Sequence, residues 1–242
     1  MTEIDMMNRR WQHSTFTPHC IGLGSGTRPR TNLVSSGHGM SVNGTGCDIM
    51  GQICEISDGL YLSGARAIKI SKLRELGITC IVNVTIELPN LPIDNVEYVK
   101  ISIDDSPFAN LGYYFDRVAD KIEDVRRRGG KCLVHCVAGV SRSASLCIAY
   151  LIKYKRMSLR KAYQHVKSRR HIIRPNPGFF RQLVEFEGRL LGSNSVTMVW
   201  NAAAGGHIPD LYEPEYNNTM SFLTKYGHGH PERSPASYSH RR

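Results

Sequence analysis

The stretch Lys131-Cys-Leu-Val-His-Cys-Val-Ala-Gly-Val-Ser-Arg-Ser143 decides how this chain is read. Residues 131–135 are a short apolar run of the kind that forms a buried strand. Cys136 stands at its end, the next residues form a loop containing Gly139, and a helix is predicted from near Arg142. Strand, loop and helix in that order can aim successive backbone N–H groups inward at the positive end of a helix dipole, which makes an anion nest. A cysteine at the start of such a nest is favoured as a thiolate. Arg142, six residues on, can fold back over the same cradle and grip two phosphate oxygens with its planar fork. Thiolate, cradle and guanidinium together describe nucleophilic attack on a phosphoryl group through a phosphocysteine intermediate. Taken singly, Cys136 would read as a small buried residue and Arg142 as a surface cation. The joint spacing Cys-x5-Arg-Ser, with a preceding His, carries the chemistry.

Working outward, strands and helices alternate. A short strand pair is expected over 56–63, and a helix over 65–76 ended by Gly77. Residues 78–84 form a β-branched apolar run suited to a strand buried on both faces. Residues 96–103 alternate as a further strand, through Val99, Ile101 and Ile103. Helical spacing runs over 110–128 and stops at Gly129-Gly130. Further helices are predicted over 143–156, 158–168 and 177–191. This alternation indicates an α/β layer fold with a largely parallel sheet. Residues 1–50, crowded with Gly, Ser, Thr and Asn, read as a flexible arm. The main unit spans 51–195, an extension partly packed on it spans 196–216, and a polar tail spans 217–242. The tail histidines 207, 228, 230 and 240 are irregularly spaced without accompanying Cys, and no metal or cofactor is expected.

The 242 residues carry 31 Lys and Arg against 21 Asp and Glu, a formal net charge of +10. Residues 1–50 hold four basic and three acidic side chains, and residues 196–242 hold four of each. The excess therefore belongs to the middle unit, where 125–184 contain fifteen Lys or Arg and no acid. No apolar run approaches the ~20 residues of a membrane span. The N-terminus, with Glu3 and Asp5, lacks a signal-peptide pattern, and Thr2 excludes a myristoylation start. A cytoplasmic chain is expected, with the nucleus as a second compartment and no membrane partner. Its seven cysteines, odd in number and without a CxxC pair, should mostly be thiols there.

His135-Cys-Val-Ala-Gly-Val-Ser-Arg-Ser143 resembles the signature loop of cysteine-dependent protein phosphatases, in the form carried by dual-specificity members. Gly59-Leu-Tyr-Leu-Ser-Gly64 resembles the opening strand of that family, 101–115 its acid loop and following helix, and Arg174-Pro-Asn-Pro-Gly-Phe179 its closing loop and helix. The similarity covers 53–192. Gly77-Ile-Thr-Cys-Ile-Val-Asn83, Tyr114-Phe-Asp-Arg-Val-Ala-Asp-Lys-Ile122 and Ile208-Pro-Asp-Leu-Tyr-Glu213 most resemble the atypical subgroup that includes mitogen-activated protein kinase phosphatase 6, although Val137 stands where that subgroup usually has Ala.

The resemblance implies a three-layer fold like that of protein tyrosine phosphatases, with a central, mostly parallel sheet of about five strands flanked by helices. It makes Cys136 the nucleophile and Arg142 the phosphoryl grip, with the backbone of Val137, Ala138, Gly139, Val140 and Ser141 as the rest of the cradle. Ser143 corresponds to the hydroxyl that eases thiolate departure, a role compatible with a plain helix-terminal hydroxyl. His135 would brace the cysteine and help keep it ionised. Asn176 resembles the Asn that supports the signature loop, although a turn role before Pro177-Gly178 fits it equally.

A phosphate monoester needs a proton for its leaving oxygen, and one Asp can supply it and later activate water. Asp104 and Asp105 compete. Strand alternation leaves Asp104 in phase with Lys100 and Ser102, whereas Asp105 matches the family's acid by its distance from the next helix.

The resemblance implies phosphorylated protein substrates, phosphotyrosine as well as phosphoserine and phosphothreonine, with MAP kinases or their upstream partners among them. A phosphoinositide or RNA phosphatase is the runner-up within phosphate chemistry, but Val137, Ala138 and Val140 occupy positions where phosphoinositide members usually add Lys. A catalytically weak phosphoprotein-binding module is the rival from another class. The dense basic stretch with Lys153, Lys155, Arg156, Arg160, Lys161, Lys167, Arg169 and Arg170 raises a nucleic-acid surface. Tyr150, Tyr154 and Tyr163 sit there at packing spacings, so a solvated face or acidic-substrate footprint is preferred and no nucleic acid is expected.

Overall fold

A computed structural model describes residues 49–218. The expected arm and tail lie outside the described residues except for 49–50 and 217–218, the latter two continuing a helical turn over 213–218.

Two short strands, β1 (Ile53–Ser57) and β2 (Leu60–Gly64), form an antiparallel hairpin that opens the sheet. β3 (Cys80–Asn83), β4 (Glu97–Lys100) and β5 (Cys132–Cys136) join it in the order β1-β2-β5-β3-β4. β2, β5, β3 and β4 run parallel to one another. Parallel strands need crossovers, and the helices that make them cover both faces. β3 and β5 are buried at every residue, which is why their sequences are mostly apolar, with Asn83 and His135 as the buried polar exceptions. The five-stranded, mostly parallel α/β architecture is the expected one.

The period of two along each strand divides the core. Leu60, Leu62, Val82, Cys132, Val134 and Cys136 point to one side. There they meet α2 (Phe115–Arg127), α3 (Arg142–Lys155), α4 (Leu159–Arg169) and α5 (Pro177–Leu191). Tyr61, Ile81 and Leu133 point to the other side, where α1 (Ile70–Leu76) contributes Leu73 and the segment before β4 contributes Ile93. α3 is the central helix of the larger layer. Its residues from Arg142 through Ile152 are all buried, so it shows little amphipathic contrast.

Local chemistry sets the ends. Gly77 caps α1 at φ +69°, as expected of a left-handed C-terminal residue. Ser158 and Asn176 cap α4 and α5 by accepting from the N–H groups of Lys161 and Phe179, and Pro177 occupies the first turn of α5. Two boundaries differ from expectation. The helix predicted over 65–76 begins only at Ile70, because the Ala65 N–H is taken by the Val137 carbonyl and Ile68 and Lys69 are extended. The strand predicted over 96–103 ends at Lys100, where the Ile103 N–H bonds the Ile101 carbonyl and turns the chain.

Beyond Gly192, β6 (Met198–Asn201) and β7 (Gly206–Pro209) form an antiparallel hairpin for which no strand was predicted. Val196, Ile208 and Tyr212 lie in the main core, and the Tyr212 hydroxyl donates to the Pro175 carbonyl at 2.9 Å. Tyr150 and Tyr163 are core residues, as their spacing suggested. His207 packs edge-on against the Trp200 ring. The five described cysteines, 54, 80, 132, 136 and 147, are all free thiols.

Candidate active site

Cys136 ends β5 and Arg142 opens α3, so the loop between them is suspended from two rigid elements at the C-terminal edge of the sheet. Four of its carbonyls are held from outside. Val137 O accepts from Ala65 N–H at 2.9 Å, and Val140 O from Arg174 N–H at 2.9 Å. Ala138 O and Gly139 O accept from the Arg170 guanidinium at 3.1 and 2.9 Å. In a planar trans peptide the N–H points opposite to the C=O. Turning these four carbonyls outward therefore turns the N–H groups of Ala138, Gly139, Val140 and Ser141 toward the loop's interior. Gly139 N–H already reaches Cys136 Sγ at 3.2 Å. Gly139 itself sits at φ +68°, with Ser63 backbone so close that a Cβ would lie 2.5 Å away.

Cys136 Sγ also accepts from the Ser143 hydroxyl at 3.1 Å. Two donors thus converge on a sulfur that is almost fully buried. His135 meets Cys136 through the backbone rather than the sulfur, its Nδ1 donating to the Cys136 carbonyl at 3.3 Å. Burial pulls the His135 pKa down to about 4, so the ring is neutral near pH 7 and contributes orientation, not charge.

Arg142 is buried at 4% exposure, an expensive place for a cation. Its Nη1 donates to Glu87 at 3.0 Å and to the Ile103 carbonyl at 3.1 Å, and its Nη2 to the other Glu87 oxygen at 3.2 Å. The Arg142 guanidinium holds the Glu87 carboxyl below the usual carboxylate range. Arg142 Nε is buried with no hydrogen-bond partner; Asp105 Oδ2, its nearby carboxylate, stands 3.7 Å away. Arg142 Nε–H and one Nη2–H are thus left for an incoming oxyanion.

Asp105 is fastened over the loop. Its Oδ1 accepts from Ser141 Oγ at 2.6 Å and from Asn176 Nδ2 at 2.8 Å, and about a third of its side chain stays open to solvent. Asp104 instead accepts from the Asp105 N–H at 2.8 Å, a local turn contact. Asn176 serves three partners, since its N–H also bonds Ser141 Oγ at 3.1 Å and its Oδ1 caps α5. The acid segment and α5 are pressed together at Gly178, where a Cβ would fall 1.8 Å from the Pro107 carbonyl oxygen.

Residues 60–189 match the family described as dual specificity phosphatase, catalytic domain. The chain belongs to the dual specificity phosphatases. It is 49% identical over 174 residues to human dual specificity protein phosphatase 14, a match that covers 72% of this chain and 87% of the relative. Rat dual specificity protein phosphatase 18 is 42% identical over 185 residues, covering 76% and 90%. Among solved structures, human DUSP28 superposes with a TM-score of 0.56 at 36% identity, covering 57% of this chain and 95% of that one.

In this phosphatase the structure gathers Cys136, Arg142, Asp105, Ser143, Asn176 and the backbone of 137–141 at one edge of the sheet, with His135 directly behind. Two further side chains of the site carry little local signal in the sequence. Glu87 lies in a loop before the unremarkable Leu88-Pro89, and no local signal ties it to Arg142, fifty-five residues away. Arg170, expected on a solvated basic face, is instead fully buried. Besides the two loop carbonyls it donates to Ile49 O and Gln52 O, at 2.9 and 3.3 Å, so it belongs to the wall of the site. Its only sequence signal is its position four residues before Arg174-Pro-Asn.

Proposed function

We propose that this protein phosphatase removes phosphate from tyrosine and from serine and threonine in proteins through a phosphocysteine on Cys136. The observation that carries the mechanism is the pairing of a doubly hydrogen-bonded Cys136 sulfur with an Arg142 Nε that is buried and unpartnered.

In the first step the Cys136 thiolate attacks phosphorus while the inward N–H groups and Arg142 bind the non-bridging oxygens. The bond from phosphorus to the leaving oxygen breaks, and Asp105 gives that oxygen its proton. In the second step water attacks the phosphocysteine, Asp105 takes the water's proton, and the S–P bond breaks. Ser143 donates to the departing sulfur, and inorganic phosphate leaves. Asn176 and Ser141 hold Asp105 in place through both steps. His135, neutral, fixes the peptide that follows the strand.

The catalytic unit in this reading is 51–195, with 196–216 as an extension of it. The loop residues Val137, Ala138 and Val140 bring no cation for a polyphosphorylated ring or nucleic acid, which favours a phosphoprotein substrate. Proteins of the MAP kinase pathways are the substrates we favour, in the cytoplasm and nucleus, on the strength of the subgroup's sequence pattern. Among the described residues no helix is long and apolar enough to cross a membrane.

Hydrolysis of p-nitrophenyl phosphate tests the assignment. Cys136→Ser should abolish turnover, and Asp105→Ala should lower kcat by about 10²–10⁴ while retaining phosphoprotein from a cell extract. Turnover undiminished by Cys136→Ser would overturn the mechanism. An unaltered rate in Asp105→Ala with a collapsed rate in Asp104→Ala would move the acid to Asp104. Tight phosphoprotein binding without turnover by the unaltered chain would make it a binding module.

A further inference from the structure

The face of the sheet opposite α2–α5 carries a cavity of about 220 Å³ that the catalytic reading does not use. Its floor is the outward-facing side of three parallel strands, with Ile81 on β3, Tyr98 on β4 and His135 on β5. Ala65 and Ile68, from the turn after β2, make one wall. Leu88 and Leu91, from the loop after β3, make the other. No charged side chain lines it.

Two features mark this cavity as more than a packing defect. First, the Tyr98 hydroxyl is buried without a hydrogen-bond partner. A buried hydroxyl costs free energy unless something bonds it. Second, the loop that roofs the cavity is held in place by polar ties. Asn83 Nδ2 donates to the Leu88 and Pro89 carbonyls and to Asn90 Oδ1, at 3.0, 3.3 and 3.0 Å, and Lys100 Nζ donates to the Leu88 carbonyl. A roof tied to the sheet in this way keeps the space open rather than letting it collapse.

The occupant is constrained by size and polarity. About 220 Å³ lies below the volume of sites for drug-sized ligands and above that of a dry cavity able to hold benzene. The lining calls for a neutral, planar, apolar molecule. With His135 Nδ1 donating to the Cys136 carbonyl, Nε2 is left as an acceptor, and the Tyr98 hydroxyl can accept as well as donate. A single N–H or O–H donor on the ligand therefore has an acceptor to meet.

We propose that this cavity is a binding site for a small neutral aromatic molecule bearing one hydrogen-bond donor, of indole or phenol type, and that its occupancy is felt at the phosphate cradle. The coupling rests on the roles given above to Cys136 and Arg142. It has two short physical links. Glu87, which clamps Arg142, immediately precedes Leu88 of the roof. His135, in the floor, bonds the Cys136 carbonyl.

The test uses the full chain and 5-fluoroindole, followed by fluorine NMR and by p-nitrophenyl phosphate hydrolysis. A saturable fluorine shift is expected, and it should persist when orthovanadate fills the cradle. Leu91→Trp, which fills the cavity mouth, should abolish the shift while leaving hydrolysis within about twofold. Tyr98→Phe should weaken binding up to about tenfold. Saturating 5-fluoroindole should lower kcat about threefold in the unaltered chain and leave Leu91→Trp unaffected. Absence of a saturable shift, its full displacement by orthovanadate, or equal binding to Leu91→Trp would overturn the site. Binding with purely competitive inhibition, or with no change in kcat, would overturn the coupling. The fluorine readout does not depend on turnover, so failure of the catalytic assignment is distinguishable from failure of the site.

Discussion

At the scale of single residues, Arg170 shows how far a side chain can act from the bond being broken. It spends a buried positive charge on backbone carbonyls, two in the signature loop and two in residues 49–52. Truncating it would leave the Ala138 and Gly139 carbonyls buried and unpaired, at a cost of about 1–3 kcal/mol for each orphaned group. Arg170→Met should therefore lower both the midpoint of urea unfolding and kcat/KM. Arg170→Lys should restore stability only in part, because an ammonium cannot reproduce a planar fork that spans both strands of contact. Equal kcat/KM in wild type and Arg170→Met would remove the residue from the site wall. Gly139 is subject to a simpler constraint. Its positive φ and the 2.5 Å approach of Ser63 leave no room for a methyl group. Gly139→Ala should destabilise the fold by about 1–3 kcal/mol, read from denaturant unfolding, and reduce turnover because the N–H that faces Cys136 would move.

At the scale of elements, the C-terminal turn of α2 contains a carboxylate whose ionisation supports the fold. Glu123 is buried against α3, where it accepts from Arg126, Arg127 and the Tyr150 hydroxyl. The Arg126 guanidinium, ahead of the smaller contribution of Arg127, holds its pKa down to about 2. A carboxylate with a depressed folded-state pKa contributes stability that is present above its ordinary pKa and is lost as pH falls toward the folded value. Wild type should thus exceed Glu123→Gln in Tm at pH 7, and the gap should close between about pH 4.5 and pH 2. Thermal unfolding across that range checks it, and a gap that does not change with pH would refute it. The same helix pair explains why α2 lies where it does, since Asp116 and Asp120 of α2 bind Lys153 of α3 at 2.8 and 2.7 Å.

At the scale of the whole molecule, the basic excess takes on a different meaning. The acid-free segment 125–184 is not left uncompensated in three dimensions. Lys153 meets carboxylates of α2, Arg160 meets Asp210, Lys167 and Arg174 meet Glu215, and Arg142 meets Glu87. Charges separated in sequence are paired by packing, so the segment is less bare than its sequence suggests, while the net basic excess of the unit stays. The chain beyond Gly192 supplies part of that pairing and part of the core. Glu187 ties it in further, its buried carboxylate accepting from the N–H of Leu159 and from both the N–H and hydroxyl of Ser195. Ending the chain at Gly192 would expose the surfaces under Val196, Ile208 and Tyr212. At about 1.5–3 kcal/mol per large apolar side chain, the truncated protein should lose at least about 4 kcal/mol of stability. Denaturant unfolding of both chains measures the difference, and an unchanged midpoint would show that the hairpin is only an appendage.

The sequence by itself determined the strand–loop–helix at 131–143, the cap at Gly77, the helix that starts at Pro177, and the choice of a parallel α/β layer. These rest on local physics: the apolar run of a doubly buried strand, the left-handed residue that ends a helix, and the spacing that puts a cysteine and an arginine around one loop. Only the tertiary structure decided what surrounds that loop. Glu87 on Arg142, Arg170 behind Ala138 and Gly139, the fastening of Asp105 by Ser141 and Asn176, and the hairpin after Gly192 are contacts across 31 to 71 residues of chain, or outside any periodic pattern. No periodicity or cap records them, because an ion pair between distant segments leaves no trace in the residues next to either partner.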